Sequence, residues 1–148
     1  MKTIPFPQAN NMELIYNLVK TMPEDGVVYS TIAKENKIAD RQGSYYLNAL
    51  LFLELSFKIK NRFFPTEMCL QFKKADINKK EFCDYLINHP KLNVLYTACH
   101  SIKDKKQKLD FIRSYIHSNF NLDEGTANRR ASTILNWFVW IEKQKEEL

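Results

Sequence analysis

Apolar residues recur near the end of the chain with the period of a helix. Ala127, Ala131, Ile134, Phe138 and Ile141 fall at i, i+4, i+7, i+11 and i+14, along one side of a helix spanning residues 126–141. The other side carries Asn128, Arg129, Ser132, Thr133 and Asn136, side chains that donate to phosphates or pair with base edges. They crowd the predicted helix N-terminus, where a reading helix meets a DNA groove. Asp123 precedes the pattern as a predicted N-cap, and residues 112–117 read as the supporting helix of a helix-turn-helix.

The first half has its own pattern. Met12, Ile15, Leu18 and Val19 predict a helix over residues 11–21, stopped by Pro23-Glu24-Asp25-Gly26. Ser30 is positioned to cap a short helix through Lys37, Ala39-Asp40 makes a turn, and residues 41–55 form a longer helix burying Tyr46, Leu47, Leu50 and Leu53. Phe57 and Ile59 then alternate with Lys58 and Lys60, Asn61-Arg62 offers a turn, and Phe63-Phe64 returns before Pro65. Three helices followed by a hairpin is the order of a winged helix, with Lys58, Lys60 and Arg62 pointing outward on the wing.

Beyond the hairpin, Thr66 is expected to cap a helix over residues 66–72, and residues 73–76 read as a linker. Helices follow over residues 79–88, 92–102, 106–119 and 123–142, broken by His89-Pro90 and by the lysines of residues 103–108. The fold class is therefore mainly α with a small β-hairpin. A winged-helix domain is expected over residues 1–75 and a helical domain with a second helix-turn-helix over residues 76–148. The two candidate reading helices align weakly, Asn48 against Asn136 and Leu47 against Leu135, as a shared plan. The second has no wing, because the sequence stops after it, which suggests a module of something longer.

Composition sharpens this only modestly. Three glycines in 148 residues favour helix over sandwich or barrel, and a net charge of +5 is compatible with a polyanionic partner without requiring one. Cys69, Cys83 and Cys99 are odd in number and lack a C-x-x-C, so reduced thiols are expected; with His100 and His117 they match no recurrent zinc spacing. Residues 1–7 lack the apolar core of a secretory signal, and no apolar run is long enough to span a membrane. A cytoplasmic protein with no membrane partner, no metal and no cofactor is the expectation.

Candidate chemistry concentrates at two helices and the wing. On the first helix Arg41, Gln42, Ser44, Tyr45 and Asn48 are candidate DNA contacts, against a competing reading of helix capping and a half-buried tyrosine. Lys58, Lys60 and Arg62 suit phosphate, or the protection of a sheet edge by charge. On the last helix Thr126 and Arg130 join Asn128, Arg129, Ser132, Thr133 and Asn136, with a solvated polar face as the alternative. Lys103, Lys105, Lys106 and Lys108 form either a charged loop or a phosphate clamp. Trp137 and Trp140 are expected in the core. Nothing forms a catalytic triad, a phosphate-binding glycine loop or a His-x-x-x-His pair, so no enzyme is expected.

Two stretches resemble winged-helix modules attached to restriction endonucleases of type IIS and their relatives. One is Arg41-Gln42-Gly43-x-Tyr45-Tyr46-x-Asn48-Ala49-Leu50 with the following hairpin and Pro65-Thr66. The other is Thr126-Ala127-x-Arg129-Arg130-Ala131-Ser132-Thr133 leading to Trp137 and Trp140-Ile141. The resemblance implies sequence-specific recognition of double-stranded DNA, with cleavage by a separate nuclease domain or subunit. A nuclease of that class needs an acid and then an acid and a lysine two apart on a strand. Asp25 with Glu35-x-Lys37 fits in letters, but Glu35 and Lys37 fall in a predicted helix, where they diverge by about 200°. A small winged-helix transcription regulator and a protein-interaction scaffold are the alternative readings.

Overall fold

The computed structural model describes residues 7–120 and 122–146. Residues 1–6, on which the signal-peptide reading falls, lie outside the described residues, as do Asn121 and the last two positions of the sequence. The chain is mainly helical with one two-stranded antiparallel hairpin. It divides into two compact units: Glu13–Asn78 with residues 7–9, and the described residues from Lys79 onward with Asn10–Met12. Among the described residues no helix is long and apolar enough to cross a membrane.

The first unit holds α1 (Met12–Thr21), α2 (Tyr29–Asn36), α3 (Asp40–Phe52), β1 (Ser56–Ile59), β2 (Arg62–Pro65) and α4 (Glu67–Lys74). Tyr46, Leu47, Leu50 and Leu53 are buried, as their spacing requires. Helix α2 starts one residue before Ser30: Val28 occupies the N-cap with no side-chain bond, and Lys37 closes the helix at φ +56°. Gly43 explains how closely α2 and α3 approach. A Cβ there would lie 2.4 Å from the Tyr29 carbonyl oxygen, so only glycine lets the backbones meet. Thr66 does cap α4, its hydroxyl accepting from the Cys69 N–H at 3.3 Å. The expected linker at residues 73–76 is instead largely the last turn of α4. This turn and Ile77 after it are anchored to α1 and the residue following it by Lys73 Nζ donating to the Met22 carbonyl (3.0 Å), by the Lys20–Asp76 ion pair (2.7 Å) and by Tyr16 donating to the Ile77 carbonyl (2.6 Å).

A third strand position is absent from the sequence reading. Val27 exchanges both backbone hydrogen bonds with Phe63, each at 2.8 Å, so β2 is flanked by β1 on one side and Val27 on the other. Helix, short strand, helix, helix and hairpin is the full winged-helix order.

The second unit contains α5 (Lys79–Asn88), α6 (Asn93–His100), α7 (Lys105–Phe120) and α8 (Glu124–Glu146). Ala127, Ala131, Ile134, Phe138 and Ile141 are all buried, and so are Thr133, Leu135 and Trp137. Burial therefore wraps most of the circumference of α8. Trp137 is fully enclosed, while Trp140 is half-buried with its ring edge-on to Phe82 at 6.4 Å. His89 is buried at the α5–α6 turn, where its carbonyl accepts from the Leu92 and Asn93 N–H groups. The lysine-rich stretch is not a loop: Asp104 caps α7 by accepting from the Gln107 N–H at 3.0 Å, and Lys105, Lys106 and Lys108 lie in the helix.

Candidate nucleic-acid interface

Helix α3 is the second helix of the helix-turn-helix in the first unit. Arg41, Ser44, Tyr45 and Asn48 stand at i, i+3, i+4 and i+7, so they share one face, and all four reach solvent at least in part. The Arg41 guanidinium lies over the Tyr45 ring at 5.9 Å. Asn48 Nδ2 donates to the Ser44 carbonyl (2.9 Å) and to Ser44 Oγ (3.2 Å), which leaves its Oδ1 as the atom able to accept from a ligand. Gln42 lies on the flank of this face and is half-buried.

The wing differs from its sequence reading in a way that parity explains. Phe63 faces the core at 2% exposure, and Lys58 pairs with it across the hairpin, its ammonium 5.2 Å from the Phe63 ring centroid. Phe57, Ile59, Phe64 and Arg62 therefore occupy the opposite, outer face. Phe57 stacks on Phe64 at 5.5 Å, and Phe57 and Ile59 remain 45% and 56% exposed. Lys58, Lys60 and Arg62 do not form one outward basic row. Lys60 sits in the two-residue turn at φ +56°. Arg62 acts as a clamp, its Nη1 donating to the Gly26 and Asp25 carbonyls at 3.0 and 3.3 Å. Gly26 itself, at φ +85°, has no room for a Cβ, which would lie 2.8 Å from Arg62 Cγ.

Helix α8 presents Asn128, Arg129, Ser132 and Asn136 on one narrow exposed strip, continued by Val139 and Lys143. Thr133 does not belong to it. Its side chain is 1% exposed and its hydroxyl donates to Asn10 Oδ1 at 2.6 Å, because the buried sector of this helix extends past the apolar stripe. Thr126 and Arg130 are half-buried beside the strip. Asp123 caps the helix, accepting from the Thr126 N–H (2.8 Å) and hydroxyl (3.0 Å), and Arg129 Nη2 donates back to that hydroxyl at 3.2 Å. The Thr126 backbone N–H and then its hydroxyl hold the Asp123 carboxyl below its usual range, with Arg129 assisting.

Glu35 lies in helix α2, whereas Lys37, expected in the same helix, is its left-handed C-cap; Glu35 lines with Asp25 and Arg62 a cleft of about 310 Å³ over Leu18, Met22 and Ile32. Among the described residues no three His, Cys, Asp or Glu side chains come together as a metal site. Cys69, Cys83 and Cys99 are free and buried; burial pushes the Cys69 and Cys83 thiols up to about 11, away from nucleophilic use.

The first unit is thus a winged helix with a polar face on its second helix-turn-helix helix, joined in sequence to an all-helical unit. The chain belongs to the DUF7226 family, described as a domain of unknown function, which matches residues 14–146. No curated protein and no solved structure matches the chain.

Proposed function

We propose that the chain binds double-stranded DNA through its winged-helix unit, with the exposed face of α3 in the major groove and the turn of the wing against the phosphate backbone. The carrying observation is the shared face of Arg41, Ser44, Tyr45 and Asn48 on the helix that this fold presents. Stacking on Tyr45 restricts the Arg41 side chain, so less rotamer freedom is lost when it pairs with guanine or phosphate. Asn48 Oδ1 accepts from the exocyclic amino group of adenine or cytosine. Lys60, at the turn, supplies charge to a phosphate. Helix α8 contributes less, because Asp123 and Glu124 put carboxylates at its N-terminus, where a phosphate approaches, and Arg129 is drawn back to Thr126.

Membership of a restriction system rests on the sequence resemblance alone, and a free-standing regulator satisfies the same geometry. The deciding experiment is selection from a randomised duplex library at two salt concentrations. An asymmetric enriched motif supports a recognition module and a palindrome supports a dimeric regulator. Absence of binding at low salt overturns the proposal and favours the scaffold.

A further inference from the structure

Among the described residues no strand pairs with the outer edge of β1. Phe63 spends its N–H and C=O on Val27, so it has neither left for Lys58, the residue opposite it on β1. The Lys58–Phe63 pair is therefore the non-hydrogen-bonded type, and the ladder bonds fall on the Phe57–Phe64 and Ile59–Arg62 pairs, the latter closing the two-residue turn. It follows that the backbone N–H and C=O of Lys58 point away from the hairpin along its open edge. They stand beside side chains of two kinds. Phe57 and Ile59 expose apolar surface on the outer face, and Lys58 carries a cation on the inner face.

Edge strands are ordinarily protected by charge and shortness, and β1 has both, yet it also keeps two large apolar side chains, Phe57 and Ile59, exposed beside its edge. A second copy of this chain is a poor occupant. Antiparallel pairing about Lys58 sets the two lysines directly opposite each other, a destabilising like-charge pair. The charge fits a different strand, one with carboxylates opposite Lys58 and apolar residues alternating with them to cover Phe57 and Ile59.

We propose that β1 docks an extended segment of a partner protein in which acidic and apolar residues alternate, adding it to the wing by strand pairing. The backbone of Lys58 supplies the hydrogen bonds, the Lys58 ammonium selects the acidic side chains, and Phe57 and Ile59 take the apolar ones. This docking is independent of the DNA reading.

The test uses the full chain and an octapeptide alternating Glu with Val as the probe, with a Lys-for-Glu version as control. Binding by the Glu peptide, with the Lys58 amide protected from hydrogen exchange and the Phe57 and Ile59 resonances shifted, is the expected result. Lys58→Glu should weaken it about fivefold and Ile59→Thr by a similar factor, with circular dichroism unchanged. Failure of the Glu peptide to protect Lys58 at millimolar concentration overturns the proposal. So does equal binding of the Lys peptide, protection that appears with rising protein concentration alone, or protection by duplex DNA in place of the peptide.

Discussion

Val27 and Phe63 exchange both of their backbone hydrogen bonds, and this single bridge fixes the parity of the wing. It turns the Lys58 backbone to the outer edge, while Phe63 packs in the core and Phe57 and Ile59 stay outside. In the unliganded protein the Phe63 amide should therefore exchange with solvent slowly and the Lys58 amide rapidly. Amide exchange by NMR reads both in one experiment, and equal protection would contradict the register.

Gly43 sits where a Cβ would meet the Tyr29 carbonyl oxygen at 2.4 Å. Backbone cannot swing aside as a flexible side chain can, so Gly43→Ala must push α2 and α3 apart. A loss of about 1–3 kcal/mol is expected from overpacking, outweighing the helix propensity gained. Urea unfolding measures it, and a stabilised variant would contradict the close approach.

On the proposed function, duplex binding should respond unequally to the two helices. Arg41→Ala is expected to cost about 1–3 kcal/mol and to relax preference at one base pair, whereas Lys60→Ala should weaken all sequences alike and flatten the salt dependence. Arg129→Ala should have a smaller effect, since Arg129 is held by Thr126. Fluorescence anisotropy on the selected duplex separates these, and an inert Arg41→Ala beside a damaging Arg129→Ala would return the reading role to α8.

Thr133→Val keeps the shape of a residue that is 1% exposed and removes its bond to Asn10. Because Asn10 is exposed, its freed oxygen can turn to water, so the cost should stay near 0.5–1.5 kcal/mol by the usual worth of one hydrogen bond, roughly. DNA affinity should not change. Thermal unfolding and a binding curve on the same variant check both statements.

Acid should loosen the start of α8. Asp123 is held below the ordinary carboxyl range by the Thr126 N–H and hydroxyl, so its folded-state pKa lies under its unfolded one. The stabilisation it brings is present above the unfolded value of about 4 and disappears as pH falls through the depressed value. Asp123→Asn keeps an acceptor while removing this titration. Its melting temperature should be lower near neutral pH, and its fall below pH about 4 should be shallower than that of the natural chain; parallel curves would contradict the assignment.

Much of the fold was legible in the sequence because it is set locally. Helical periodicity identified the core side of α8, the spacing of Tyr46, Leu47, Leu50 and Leu53 identified that of α3, and Thr66 and Asp123 announced their helices by cap chemistry. Val27-Val28, a β-branched pair after Gly26, is a local sign of the short strand that periodicity passes over.

Tertiary structure decided the rest, because it depends on what lies across the molecule. Alternation along β1 allows either face to be inward; burial of Phe63, across the hairpin from Lys58, selects the face and the bridge from Val27 selects the edge. Thr133 follows the polar letters of its neighbours yet enters the core, since the buried arc of α8 is wider than its apolar stripe. Arg62 also reaches back to the Asp25 and Gly26 carbonyls, distant in sequence, through one nitrogen of its guanidinium. Periodicity determines which side of an element can be buried; the elements packed against it determine how much of that side is, and which polar groups remain for a partner.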